Sequence, residues 1–157
     1  MPEVTYRRLQ ETSEDLELVF DFLTSTFVQE HQMGPLSAVN FSPKKSIPFL
    51  VAAIQCGAWI AEYDGKIVGS IGLQVSAPWY AEINYISDLW LYVIPEYRKH
   101  GVAGSLIEIA EAESSEKGLP LMLGLFNDVD VDKKMEFLKG KGFRMVGAQF
   151  LKVQESE

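Results

Sequence analysis

Cysteine and histidine are scarce in this sequence. The 157 residues contain one cysteine, Cys56, and two histidines. A single thiol cannot form an intramolecular disulfide, and one thiol with two imidazoles is too few for a zinc site built from such ligands. The sequence therefore excludes a disulfide framework and predicts no metal site.

Long hydrophobic runs are also missing. No apolar stretch approaches the roughly 18 residues that a membrane-spanning helix needs. The N-terminal segment lacks the basic start and the apolar run of a signal peptide. We therefore expect a cytoplasmic protein that makes no contact with a membrane.

Positive charge is in short supply. There are 14 lysines and arginines against 22 aspartates and glutamates, a net charge of -8. A broad basic face for the phosphate backbone of nucleic acid is therefore not expected. The deficit is uneven, because residues 1–94 carry -6 and residues 95–157 carry -2. This asymmetry reflects either solvated helix faces or a field that attracts cationic acceptors, and the second interpretation predicts a cationic amine as substrate.

The composition is otherwise that of a globular protein. Apolar residues make up 47% and aromatic residues 11%, which is enough for a core. No internal repeat or flexible linker divides the chain, so we expect one domain over residues 1–157. The periodicities predict the order β-α-α-β-β-β-α-β-α-β, which is an α+β fold around a mixed sheet.

The first half of this order rests on local signals. A strand is predicted over residues 4–9, followed by a helix whose N-cap is Thr12. Residues 31–45 predict a loop that contains Pro43, and a short helix follows over residues 46–55. Asp64-Gly65 predicts a tight hairpin between two strands.

The second half begins with a long strand that ends at Pro95. A helix is predicted from Ala103 to about residue 117, then a short strand, and then a helix that stops at Gly142. The segment "FRMVGAQFLKV", residues 143–153, predicts a final strand or hairpin.

The segment "YVIPEYRKHGVAGSLI" joins the long strand to the next helix. Its glycines let the backbone approach a ligand closely, and consecutive amides at a helix N-terminus bind anions. Arg98, Lys99 and His100 add positive charge. The pattern Arg98-x-x-Gly101-x-Ala103 therefore predicts a site for a diphosphate.

These residues also resemble the Gln/Arg-x-x-Gly-x-Gly/Ala signature of the GNAT superfamily of acetyl-CoA-dependent N-acyltransferases. The segment "FLKGKGF", residues 137–143, resembles the late aromatic-Tyr-x-Lys-x-Gly-Phe motif of that family. The resemblance extends over the whole chain. It implies a mixed, mostly antiparallel central sheet flanked by helices, with its fourth and fifth strands splayed apart around coenzyme A.

The resemblance implies a function and a set of binding residues. The function is transfer of an acetyl group from acetyl-CoA to a primary amine, small or peptide-borne, by direct attack in a ternary complex. The diphosphate would be wrapped by residues 98–105, and one backbone amide of the long strand would polarise the thioester carbonyl. The residues implied to bind the cofactor are Leu91, Tyr92, Val93, Arg98, Lys99, His100, Gly101, Val102, Ala103, Gly104, Ser105 and Asn127.

The catalytic groups are less well defined. Asp88 and Glu82 are the candidate general bases, and each is alternatively a solvated or ion-paired carboxylate. On an unbroken strand from 82 to 94, the side chains of Asp88 and Glu82 would share one face with Tyr92. A bulge between them would change the face on which each side chain lies. The family's usual acid, a helix tyrosine, is replaced by Leu138, so Tyr92, Tyr85 or water would protonate the leaving sulfur.

One function of another class remains open. The leucine at position 138 is compatible with a catalytically degenerate domain that binds acyl-CoA and acts through protein contacts. The sequence leaves the oligomeric state open, a homodimer included.

Overall fold

The computed structural model describes residues 3–30, 32–33, 36–125 and 130–154. Its regular elements, in chain order, are β1 (Thr5–Arg8), α1 (Ser13–Ser25), α2 (Phe27–Glu30), β2 (Gln32–Met33), β3 (Leu36–Ser37), α3 (Pro43–Cys56), β4 (Ala58–Tyr63), β5 (Lys66–Ser76), β6 (Tyr85–Val93), α4 (Val102–Lys117), β7 (Leu121–Met122) and α5 (Val131–Gly140).

A five-stranded sheet with the order β1-β4-β5-β6-β7 forms the centre of the fold. The first three pairings are antiparallel, and β6 pairs with β7 in parallel. Strands β2 and β3 form a separate two-stranded ribbon. The predicted α+β class with a mixed, mostly antiparallel sheet is confirmed.

The sheet has helices on both of its faces, as the side chains at the end of β6 show. The Tyr92 ring meets Phe22 of α1 and Phe27 of α2. The next side chain, Val93, lies on the opposite face beside Val102 of α4. Because successive side chains of a strand point to opposite faces, α1 and α2 flank one face of the sheet and α4 flanks the other.

The N-terminal elements follow their local signals. Thr12 caps α1, since its side chain accepts a hydrogen bond from the Asp15 backbone N–H at 3.2 Å. Asp64 and Gly65 both have positive φ, at 51° and 75°. That conformation is typical of a two-residue turn whose twist matches the strands, so the predicted hairpin is confirmed.

Helix α3 begins earlier than predicted. It starts at Pro43, within the segment expected to be a loop. Proline is compatible with the first position of a helix, where its missing N–H has no partner to lose, and the Ser42 side chain caps the helix by accepting from Lys45 N. The prediction was wrong because Pro43 starts this helix and does not break it.

The C-terminal part is less regular than predicted. Residues 143–154 form no strand, although their alternating pattern predicted one. Their apolar side chains are exposed, and Phe150 retains 95% of its accessible surface. A strand needs a partner that buries one of its faces, and this segment has none among the residues that the structure describes.

The core lies between the sheet and its helices. Its largest fully buried side chains come from the sheet and from α4, with one from α1 and one, Leu9, from the residue that follows β1. No helix among the described residues is long and apolar enough to cross a membrane. The fully buried core includes Leu9, Val19, Ile60, Val68, Ile71, Leu73, Ile86, Val102, Leu106 and Ile107.

Candidate functional site

Strand β6 has one fully paired edge and one largely open edge. On one side it pairs with β5 from end to end, and on the other it meets β7 only at Ile86 and Ser87. From residue 88 onward, no strand of the described chain lies along that second edge. The predicted splay between these two strands is confirmed.

The backbone of the open edge is available to a ligand. The Ile94 N–H donates to Val68 O on the β5 side, at 2.9 Å. Hydrogen-bonding direction alternates along an antiparallel strand, so Tyr92 also bonds towards β5, whereas Leu91 and Val93 face the open edge. Of the three residues expected to pair with pantetheine through their backbone, Leu91 and Val93 have the required orientation and Tyr92 does not.

A bulge interrupts β6 at the start of this open edge. Gly72 pairs with Trp90 and Leu73 pairs with Asp88, which leaves Leu89 as an extra residue without a partner on β5. A bulge bends the strand and breaks its alternation. Of the two alternatives that the sequence left open, the structure therefore shows the bulged strand and not the unbroken one.

Asp88 lies where β6 and β7 diverge. Its side chain is buried, and Oδ1 accepts a hydrogen bond from the Gly124 backbone N–H at 2.9 Å. Burial raises the pKa of this carboxyl from 3.8 to about 6, and the hydrogen bond from Gly124 offsets only part of that effect. Asp88 is therefore a carboxylate at neutral pH that accepts a proton more readily than an ordinary aspartate.

Glu82, the other candidate base, lies elsewhere. It is exposed and precedes the first residue of β6, Tyr85, in a loop. It was expected on or just before the long strand, and it lies three residues before the strand starts. The structure therefore does not bring the two acids together through the strand.

The Trp90 side chain lies across β5. Its ring occupies the space above Gly72, where a Cβ atom would come within 2.3 Å of the ring carbons. The indole Nε1–H donates to Ser70 Oγ at 2.9 Å, and that hydroxyl donates to Trp59 O at 2.8 Å. These contacts fix the ring immediately beside the bulge.

Tyr92 lies in an aromatic and charged cluster on the α1 face. Its hydroxyl is hydrogen bonded to Glu30, and burial with that carboxylate raises the pKa of Tyr92 to about 12. A hydroxyl with a raised pKa is a weaker proton donor than an ordinary tyrosine. The geometry thus gives Tyr92 a bonding partner on α2 and does not favour it as a catalytic acid.

A glycine turn connects β6 to α4. Gly101 has φ 75° and precedes the first helical residue, Val102. The first hydrogen bond of the helix runs from Ser105 N to Gly101 O, so the N–H groups of residues 102–104 have no partner within it. Three consecutive amides at a helix start are suited to bind an anion.

Arg98 does not extend over this turn. Its Nε donates to Val93 O at 2.9 Å, and its Nη2 pairs with Glu30 at 2.8 Å. The guanidinium also lies 5.4 Å from the centre of the Tyr92 ring. Arg98 therefore joins the end of β6 to α2, while Lys99 and His100 are exposed on the turn.

Lys141 is a cation beside this turn that the sequence analysis missed. Its Nζ lies 3.6 Å from the point where a Cβ of Gly104 would stand, with the Phe137 ring next to it. Its ion pair with Glu108 is long at 3.5 Å, and that partner is exposed. The motif "FLKGKGF" contains this lysine, but only the fold shows that it meets the first turn of α4.

The family resemblance singled out two further residues, Asn127 and Leu138. Asn127, expected to contact pantetheine, lies outside the described residues. Leu138 lies on α5 and is partly buried, at the position where the family resemblance would place a tyrosine. No group of three histidine, cysteine, aspartate or glutamate side chains within the described residues is arranged to hold a metal.

A cavity of about 370 Å³ lies beside the bulge. It is open to solvent and is lined by residues of α1, α2, α3, β6 and the segment just before α3, with Leu89 and Trp90 forming its wall on the sheet. The lining residues are Phe20, Leu23, Thr24, Phe27, Val28, Asn40, Phe41, Ser42, Lys45, Ser46, Phe49, Leu50, Leu89 and Trp90.

Comparison with known proteins assigns the fold. Residues 55–145 match the family model described as an acetyltransferase (GNAT) domain. This match contains β6, the glycine turn and the whole of α5. The chain matches no curated protein sequence.

Solved structures give the same fold over nearly the whole chain. A GCN5-related N-acetyltransferase from Ralstonia eutropha JMP134 superposes with a TM-score of 0.71 at 20% identity, covering 96% of this chain and 99% of that one. An aminoglycoside acetyltransferase from an uncultured soil metagenomic sample, solved with sisomicin, gives 0.69 at 22%, covering 97% of both chains. The enzyme AAC(6')-Iy, solved with a bisubstrate analogue of coenzyme A, gives 0.68 at 14%, covering 98% and 99%.

Proposed function

The chain belongs to the GNAT acetyltransferase family, and from this premise we propose that it transfers an acetyl group from acetyl-CoA to a primary amine. The observation that carries the proposal is the open edge of β6, which ends at a turn with three unpartnered helix amides. An extended pantetheine arm needs backbone partners along such an edge, and a diphosphate needs amides at its end. The two features are contiguous in this chain.

Each end of the proposed cofactor site has its own residues. Leu91 and Val93 offer backbone groups to the pantetheine arm, although Arg98 already donates to Val93 O. The amides of residues 102–104, with Gly101 before them, take the diphosphate. Lys99, His100 and Lys141 add positive charge around it, and the Ser105 side chain lies in the first turn of the same helix.

The transfer itself needs a neutral amine. A lysine-like ammonium with a pKa of about 10.4 must give up its proton at pH 7, which costs about 4.6 kcal/mol. We assign the removal of this proton to Asp88, directly or through a water molecule, because its raised pKa leaves it ionised yet basic.

Acetyl transfer then forms one carbon–nitrogen bond and breaks one carbon–sulfur bond. The neutral amine nitrogen forms a bond to the thioester carbon and the carbon–sulfur bond breaks. The proton that the nitrogen loses as it becomes an amide passes through water to the departing thiolate of coenzyme A. A thiol is a good enough leaving group to depart without a protein acid. Since residue 138 is leucine and the Tyr92 hydroxyl is bonded to Glu30, water supplies the proton to the sulfur.

The test is acetyl-CoA binding and turnover with a matched pair of variants. Acetyl-CoA should raise the Tm of the protein. Gly101→Glu should abolish that rise, since it sets a negative charge against the diphosphate. Gly118→Glu imposes the same left-handed strain at the other end of α4, where φ is 67°, and should retain the rise.

Thiol release separates the enzyme from a degenerate domain. An enzyme should release coenzyme A when a suitable amine is added, whereas a binding domain should show the Tm rise alone. A Tm rise that survives Gly101→Glu would mean that the cofactor binds somewhere other than this turn.

A further inference from the structure

The cavity beside the bulge is apolar. Its walls include four phenylalanines, two of which pair with their ring centres 6.1 Å apart, Phe20 and Phe41. Among the described residues, no aspartate or glutamate lines it. Lys45, exposed on the first turn of α3, is its single charged lining residue.

The hydroxyl groups of the cavity wall are already used by the helices. Thr24 donates to Asp21 O at 3.2 Å, and Ser46 donates to Pro43 O at 3.1 Å. Ser42 accepts from Lys45 N as the cap of α3. The wall therefore offers few hydrogen bonds to a polyhydroxylated ligand, and its contribution to binding is mainly burial of apolar surface.

This cavity reaches the part of β6 where transfer is proposed to occur. Leu89, the bulged residue, and Trp90 both line it. They directly follow Asp88, the proposed base, and precede Leu91, the first residue proposed to hold pantetheine. A ligand seated here would have its reactive end beside the bulge.

A second, larger cavity is more polar but lies away from the bulge. It has a volume of about 780 Å³ and is lined by Asp21, Glu30 and Glu96, beyond Tyr92 at the end of β6. Its central carboxylate, Glu30, is already paired with Arg98. Apart from Asp88, the proposed base, the acidic groups that would attract a cationic substrate are therefore not at the bulge.

We propose that the acceptor is a primary amine on a compact apolar body, of the size of an aromatic amino-acid side chain, and not a polycation. The inference rests on the proposed acetyl transfer and names its substrate class. The volume is near the lower end of the range of about 300–1,000 Å³ for ligand sites. Lys45, the charged residue at the rim of the cavity, repels a second positive charge on the acceptor. This proposal narrows the expectation of a cationic acceptor, drawn from net charge, to an acceptor with a single positive charge.

An apolar cavity also assists the chemistry. Burial lowers the pKa of an amine because it penalises the charged form, so the neutral nucleophile is favoured. A polyamine or an aminoglycoside would have to desolvate further charges without any carboxylate in the wall to compensate. An apolar amine carries a single positive charge, and the proton that bears it passes to Asp88 before attack. The second proton that the nitrogen loses passes through water to the leaving sulfur as the carbon–nitrogen bond forms and the carbon–sulfur bond breaks.

The test compares three amines under saturating acetyl-CoA. Thiol release is measured with 2-phenylethylamine, spermidine and an aminoglycoside. Burial of one aromatic ring should raise kcat/KM for 2-phenylethylamine by roughly 10-fold to 100-fold over the other two.

A pair of charge reversals tests the position of the cavity. Lys45→Glu should raise kcat/KM for spermidine relative to 2-phenylethylamine by about tenfold, because it replaces the positive charge at the rim of the cavity with a negative one. Lys44→Glu changes the net charge equally, but Lys44 does not line the cavity, so the preference should stay within about twofold. Both substitutions lie in the first turn of α3, where acids are tolerated.

The outcomes separate the two levels of the proposal. Thiol release that is faster with spermidine or the aminoglycoside overturns the inference and leaves acetyl transfer standing. An equal effect of the two lysine variants also overturns it. No release with any of the three amines, and no Tm rise with acetyl-CoA, overturns the proposed function and the inference together.

Discussion

The two edges of β6 differ in how they are completed. The edge towards β5 is paired at eight positions, with Trp90 fixed across Gly72 and bonded to Ser70. The edge towards β7 is paired at two positions and then opens. Along it lie a buried carboxylate, unpaired backbone and a turn with unpartnered amides.

The difference separates stability from function within one strand. Groups on the closed edge have their partners inside the protein, so changing them should reduce stability. On the open edge Asp88 accepts from Gly124 and Val93 O accepts from Arg98, but no strand of the described chain pairs with the backbone from residue 88 onward. A site that binds ligand is often maintained at some cost in stability. The predictions below test this division.

The largest effect is expected at the open edge, in turnover. Asp88→Asn should lower kcat by about 10²–10⁴-fold near neutral pH, since a general base contributes that much. In the native protein the rate should rise as pH increases through about 6, the pKa of Asp88, because the ionised form is the base. The variant should lose this step, and its deficit should shrink at high pH, where the amine deprotonates unaided.

Glu82→Gln is the matched control. Glu82 is exposed and lies before β6, so its loss should change kcat by less than about twofold. A pH-independent loss in Asp88→Asn would contradict the assignment and indicate a structural role. A larger effect at Glu82 would reverse the roles of the two acids.

The same Asp88 variant should be more stable than the native protein. The carboxyl pKa is raised from 3.8 to about 6 on folding, so the ionised side chain destabilises the fold by about 3 kcal/mol at pH 7. That cost is absent below the unfolded pKa and grows as pH rises from about 4 to 6. Asparagine stays neutral and keeps an oxygen for Gly124.

Denaturant unfolding at several pH values checks this. The free energy of unfolding of Asp88→Asn should exceed that of the native protein by a few kcal/mol at pH 7, in the direction that the pKa sets. The excess should vanish towards pH 4. A variant less stable than the native protein at pH 7 would show that the carboxylate is needed by the fold.

The closed edge should respond in the opposite way. Gly72→Ala places a Cβ atom 2.3 Å from the Trp90 ring, so the ring or the strand must move. Overpacking of this kind costs about 1–3 kcal/mol in the free energy of unfolding. Gly140→Ala, with nothing within 4 Å, is the control and should be neutral or slightly stabilising. Equal stabilities for the two variants would contradict the packing.

Local signals in the sequence predict one part of this molecule well. The Thr12 cap, the Asp64-Gly65 hairpin and the glycine turn before α4 each depend on a few adjacent residues. The splay of β6 and β7 followed from the family resemblance, which the glycine turn carried.

The rest depends on contacts between distant residues. The bulge at Leu89 depends on where Trp90 finds space on Gly72, and Glu30 meets Arg98 across 68 positions. Sequence alternation predicted a strand over residues 143–153, but alternation cannot supply the partner that a strand needs. Net charge predicted a cationic acceptor, which stays a prediction. Because net charge averages over a surface, it carries no information about the apolar cavity beside the bulge.

The smallest effect is expected at Lys141, which directly follows α5 and lies beside the first turn of α4. Its Nζ lies beside Gly104 at the proposed diphosphate site, and its ion pair with exposed Glu108 is worth little. Lys141→Met should therefore leave the free energy of unfolding within about 0.5 kcal/mol. It should weaken acetyl-CoA binding by about three- to tenfold at low salt and by less at high salt, since salt screens charge.

Lys139→Met is the control in calorimetric titrations, because Lys139 is exposed on α5. Equal losses of affinity in both variants would mean that general charge is responsible, and not contact at Gly104.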